Sequence, residues 1–76
     1  MTDSLAEAVA ETLANHPDAV ERWRLNEPGA WGFLAGQGVL TFRTRLGRSL
    51  TNAERRQVWA ALWAELERRR GLLDSH

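Results

Sequence analysis

Ala30-Trp31-Gly32-Phe33-Leu34-Ala35-Gly36-Gln37-Gly38-Val39-Leu40-Thr41-Phe42 is the stretch on which the fold turns. It is the most apolar run of the chain and also the richest in glycine. Ala35, Val39, Phe42 and Leu46 recur at steps of four, three and four, the spacing of one helical face. Gly32 and Gly36, four apart, share another face and leave it without side chains. Each glycine costs a helix about 1 kcal/mol relative to alanine, so some gain must offset the pair. Close approach of another helix backbone supplies such a gain, and a ligand or partner on the bare face is the alternative. Gly32, Gly36 and Gln37 are the candidate residues of that face. The run falls short of the roughly 20 apolar residues of a membrane span, and arginines follow it at once.

Working outward, the spacing predicts helices over about 4–14, 17–25, 29–46 and 51–70. Ser4 and Glu7 form a candidate capping box at the first helix. Leu5, Val9 and Leu13 give that helix its apolar stripe, and Asn15-His16-Pro17 end it. Pro17 suits the first position of a second, short helix with Val20 and Trp23 facing inward. Asn26-Glu27-Pro28-Gly29 reads as a turn, with Pro28 opening the third helix. Gly47 is the candidate stop of that helix. Thr51-Asn52-Ala53-Glu54 is a second and stronger capping box, because a long periodic run follows directly. Val58, Leu62 and Leu66 form one row of the fourth helix, and Trp59 and Trp63 form the next. Arg68, Arg69 and Arg70 suit a helix C-terminus, Gly71 terminates the helix, and Leu72 to His76 are expected to fray. No segment alternates with period two. The fold class expected is all-α, a three- to four-helix bundle with the third helix central, in a single domain over 1–76.

The totals narrow the function classes. A chain of 76 residues buries only about 60% of the surface it exposes unfolded, so a partner or second copy would help it. Without cysteine there is no disulfide framework and no thiolate metal site. The polar, acidic start Met-Thr-Asp-Ser-Leu-Ala-Glu does not read as a signal peptide, and the expected location is the cytoplasm. Formal charge is zero overall but uneven. Residues 1–38 carry six acids and two arginines, for −4, and residues 39–76 carry eight arginines and four acids, for +4. Every base is arginine, whose planar fork suits phosphate or carboxylate.

Catalysis has little to stand on. Glu7 and Glu11 share a helix face but read as solvated positions. His16 precedes a proline at a helix junction and reads as a cap, and His76 is the last residue. Ser4, Ser49 and Ser75 have no evident histidine partner. Metal ligation needs three or four converging ligands, and no nucleotide-phosphate loop is present. The chain is expected to be a non-enzyme, with no catalytic residue, no metal and no cofactor.

From Ala19 to Gln37 the sequence resembles a known helical module, the tail domain of the B subunit of the tRNA-dependent aspartyl/glutamyl amidotransferase, shared with the YqeY proteins. The matching residues are Ala19, Val20, Trp23, Arg24, Ala30, Gly32, Phe33, Leu34, Gly36 and Gln37. Asn15-His16-Pro17 is similar to the family's Asn-Pro with one residue inserted, and Gly47-Arg48 is similar to its basic Gly-Lys turn. Asn26 stands where the family's turn usually has glycine, and Trp31, Trp59 and Trp63 are not family features. The resemblance implies a helical fold and a tail that helps hold tRNA without doing chemistry.

Two surfaces follow as candidates. Arg43, Arg45, Arg48, Arg55 and Arg56 cluster around the turn between helices three and four, a basic helix-turn-helix corner suited to the phosphates of a structured RNA such as tRNA. Trp31, Trp59 and Trp63 are the candidates for a partner-protein or homodimer interface, since tryptophan and arginine are enriched at such sites. The alternatives are a solvated basic patch and a tryptophan pair that widens the buried face of helix four.

Overall fold

Helix starts and stops in this chain are set by short polar side chains and by residues that tolerate the left-handed backbone. The computed structural model describes residues 3–74. It holds four helices, α1 (Ser4–Asn15), α2 (Pro17–Arg24), α3 (Ala30–Leu46) and α4 (Asn52–Asp74), with no strand among the described residues. The protein is an all-α bundle.

α1 is capped one residue earlier than the Ser4–Glu7 box implies. The Asp3 carboxylate accepts the Leu5 N–H at 3.0 Å, and Ser4 is already helical. Aspartate has a fixed acceptor, so it outcompetes the neighbouring hydroxyl for the free N–H groups. Pro17 opens α2 as expected. α2 ends in a Schellman arrangement, in which Asn26 N–H donates to Trp23 C=O and Glu27 N–H to Arg22 C=O, both at 2.9 Å. Asn26 takes the left-handed position, φ +61°. Pro28 does not open α3 but lies in the turn. Gly29, at φ +86°, is the N-cap. At the far end Gly47, at φ +74°, stops α3 and donates its N–H to Arg43 C=O at 2.9 Å. The Thr51–Glu54 box forms in both directions, Thr51 N–H to the Glu54 carboxylate at 2.9 Å and Glu54 N–H to Thr51 Oγ1 at 3.1 Å. Gly71 does not end α4, which continues through it to Asp74. The helix has no competing cap there, and one exposed glycine costs too little to stop so long a helix. The expectation of fraying is thus corrected up to residue 74, and for Ser75 and His76 it lies outside the described residues.

α3 is central and packs against α1, α2 and α4. Its buried face is Ala30, Leu34, Gly38 and Phe42. The stripe expected from the sequence is therefore rotated: of Ala35, Val39, Phe42 and Leu46, only Phe42 is buried and the rest are half-buried. Steps of four from Leu34 pass through Gly38, which carries no hydrophobic signal. A Cβ on Gly38 would lie 3.1 Å from Val58 Cγ1 and 3.4 Å from Leu62 Cδ2, so the side chains of α4 occupy the space a larger residue would need.

Gly38 also marks the seam between two parts of the core. One part joins Val9, Leu13, Ala19, Trp23, Ala30, Leu34, Leu62 and Leu66. The other joins Ala8, Phe42, Leu50 and Val58. Leu62 and Val58, the residues nearest Gly38, belong to one part each. α1 enters the core through Ala8, Val9, Thr12 and Leu13. The buried Thr12 hydroxyl donates to Ala8 C=O at 2.7 Å, which satisfies it.

Candidate functional site

Arginines placed around one turn repel one another unless acids come to meet them. In this fold acids do. The corner between α3 and α4 holds Arg43, Arg45, Arg48, Arg55 and Arg56, but three of the five are engaged within the chain. Arg45 projects from α3 onto α1, donating to Glu7 at 3.2 Å and Glu11 at 2.8 Å. These two glutamates read from sequence as solvated positions, and while their side chains do stay solvent-accessible, they also form a surface clamp. Their spacing of four puts them on one face of α1, and the packing of α1 on α3 brings that face to Arg45.

Arg48 holds Glu54 through both guanidinium nitrogens, at 2.8 and 2.6 Å, in a bidentate pair. The Arg48 guanidinium, helped by the Thr51 N–H, holds the Glu54 carboxyl down at about 2. Arg55 donates to Asn52 Oδ1 at 2.9 Å and toward Leu50 C=O at 3.5 Å. Arg43 and Arg56 are exposed, and neither guanidinium has a hydrogen-bond or ion-pair partner among the described residues. A shallow depression beside the turn is lined by Arg43, Thr44, Gly47, Arg48 and Ser49.

The bare glycine face is open. A Cβ on Gly32 or Gly36 would meet no atom within 4 Å, and both residues are exposed. The expectation of close helix packing at this pair is overturned. The tight contact occurs instead at Gly38, on the opposite side of the same helix, and it is with side chains of α4, because the four-residue stripe through Leu34 and Phe42 faces the core. Gln37 is half-buried and does not join the open face. The outward side of α3 instead carries Gly32, Gly36 and Arg43 with the exposed Phe33 and Leu40.

The tryptophans divide between core and surface. Trp23 is buried. Trp63 stands edge-on to Trp23 at 5.5 Å and to Trp31 at 5.0 Å, ring planes at 90° in both pairs. Such edge-to-face contacts are favourable beyond the area they bury. Trp31 is half-buried, yet Trp63 remains 44% exposed and Trp59 40%. Trp63 is therefore anchored along its inner side and open on its outer side, and Trp59 makes no ring contact among the described residues. The far end of this cluster involves Arg70, whose guanidinium lies over the Trp23 ring at 4.0 Å and donates to Trp23 C=O and Asn26 Oδ1. Sequence reasoning assigned Arg70 to the helix dipole and missed this contact, since nothing local ties α4 to the end of α2. Arg68 and Arg69 both pair with Glu65, whose carboxyl they hold at about 2, Arg68 contributing most.

His16 lies at the α1–α2 junction but makes no side-chain cap bond, and its ring meets Phe33 edge-on at 5.1 Å. Among the described residues no group of three or more His, Cys, Asp or Glu could hold a metal ion. No helix of the described residues is long and apolar enough to cross a membrane. Comparison with family models, with curated proteins and with solved structures finds no match for this chain.

Proposed function

We propose that this chain is a non-catalytic helical binding module that docks a protein through the tryptophan-bearing face of α4 beside α3. The observation that carries the reading is the contrast in satisfaction. Trp59 and Trp63 stay 40% and 44% exposed, whereas three of the five corner arginines are engaged within the chain, Arg45 and Arg48 by acids and Arg55 by Asn52 and the Leu50 carbonyl. Exposed tryptophan flanked by arginine is the composition of interface hot spots. Trp63 is held by two neighbouring rings, so little side-chain freedom remains to be lost on docking. A cytoplasmic setting belongs to the same reading. Capture from the native host on immobilised protein tests it, comparing the parent with Trp59→Ser, a residue with no ring contact to lose. The expected result is that Trp59→Ser stays helical by circular dichroism and loses the partner retained by the parent. Identical captured sets would remove the reading.

A second reading, contact with a structured RNA such as tRNA, is favoured by the two unpartnered arginines and by the depression next to Arg43. The resemblance to the amidotransferase tail adds support, because Asn26 adopts the left-handed backbone natural to the glycine of that family's turn. The contact would be to phosphate and would weaken steeply with salt. The discriminating variant is Arg43→Glu/Arg56→Glu, because reversing Arg45 would set three carboxylates against one another at the α1 clamp. Filter binding of bulk tRNA at low salt should then fall by at least about tenfold. Binding equal to the parent, or none by the parent, ends this reading.

A further inference from the structure

Along the outer surface of α4, Arg56, Ala60, Trp63 and Glu67 follow one another at steps of four, three and four. That spacing lines them up on one face of the helix, and all four are exposed. The buried row Val58, Leu62 and Leu66 occupies a different face, so the stripe points away from the core. Its ends carry opposite charges without strong partners. The Arg56 guanidinium has no hydrogen bond or ion pair among the described residues, and the single ion-pair contact of Glu67 among them, with Arg70, is at 4.0 Å. Between the ends lie one small residue and one large aromatic one.

This order is complementary to itself when a second α4 is laid against it in the opposite direction. About the midpoint of the stripe, Arg56 comes opposite Glu67 and Ala60 comes opposite Trp63. We propose that the occupant of this face is a second copy of the chain, paired antiparallel along α4 in a two-fold homodimer. Each tryptophan then seats on the alanine of the other copy, and two Arg56–Glu67 pairs close the ends. The ends lie about 16 Å apart at the helical rise of about 1.5 Å per residue, one residue of each sign at either end. A two-fold interface must be self-complementary in this way, since the same patch serves on both sides. Trp63 is already positioned by Trp23 and Trp31, and the exposed Trp59, one turn before it on α4, lies beside the stripe. The proposal rests on the reading of the α4 face as a protein-docking surface and names the partner.

Sedimentation equilibrium of the full chain, from micromolar to millimolar concentration, is the test. The parent mass is expected to rise from 8.6 kDa toward twice that value. Arg56→Glu and Glu67→Arg each set like charges together at both ends, and each should raise the dissociation constant by about tenfold or more. The double variant Arg56→Glu/Glu67→Arg restores opposite charges and should return to within about threefold of the parent. Both residues are exposed, so all three variants should keep the parent's circular dichroism spectrum. A parent that stays at 8.6 kDa throughout overturns the proposal. So does a dimer that ignores the single reversals, or a double variant no better than the singles. A monomeric parent that still loses its captured partner on Trp59→Ser would leave the docking face standing with a different occupant.

Discussion

Gly38 and Gly36 sit two residues apart on one helix and meet opposite surroundings. Gly38 faces α4, where Val58 and Leu62 fill the space a Cβ would enter. Gly36 faces outward, where a Cβ would touch nothing within 4 Å. The first glycine offsets its helix cost by letting two parts of the core meet. The second has no such return from the fold itself. A glycine count therefore says nothing about packing until the phase of the helix is known.

The comparison breaks most visibly at its inward side. Leu34 is fully buried, so Leu34→Ala should cost about 2–5 kcal/mol through lost transfer energy and a cavity. Urea denaturation would measure it, and a cost below about 1 kcal/mol would mean that α3 is turned differently. Gly38→Leu comes next. It forces a larger side chain against Val58 and Leu62 and should destabilise by about 1–3 kcal/mol. Gly36→Ala should do the reverse and stabilise by about 0.5–1 kcal/mol, because it removes the helix cost and meets open space. Equal effects at Gly36 and Gly38 in thermal melts would erase the distinction between the two faces.

The smallest effect concerns the turn that fixes how α4 lies on the inward face. Glu54 and Glu65 have folded values near 2, below the ordinary 4.5. A depressed carboxylate contributes stability that is present above its unfolded value and is lost as the pH falls through its folded one. Thermal melts should therefore decline as the pH drops from about 4.5 toward about 2. Glu54→Gln removes the pair with Arg48 and should make that decline shallower. An unchanged slope would show that the Arg48–Glu54 pair contributes nothing to the turn.

Much of the architecture was legible residue by residue. Pro17 at a helix start, Gly47 at a stop, the Thr51–Glu54 box and the Val58-Leu62-Leu66 row are local signals, and each forms as read. The misplacements are also local in origin. Asp3 displaces Ser4 because two caps compete one residue apart, and Gly71 carries the signal of a stop, since glycine ends many helices, while α4 runs through it. Of the candidate surfaces, the Arg43 and Arg56 guanidinium groups have no partner among the described residues, while those of Arg45, Arg48 and Arg55 do.

The sequence by itself determined four helices, their approximate lengths and the presence of arginine and tryptophan in the second half of the chain. Those properties depend on residues within a few positions of one another, where spacing and capping chemistry act directly. Only the tertiary structure decided which glycine meets a neighbouring helix, which arginines are neutralised and which tryptophan faces remain open. Glu7 and Glu11 reach Arg45 across 38 and 34 residues, and Arg70 reaches Trp23 across 47. Contacts at such separation follow from how the helices pack around α3, and a pattern of residues along one helix carries no record of the rotation of its neighbours.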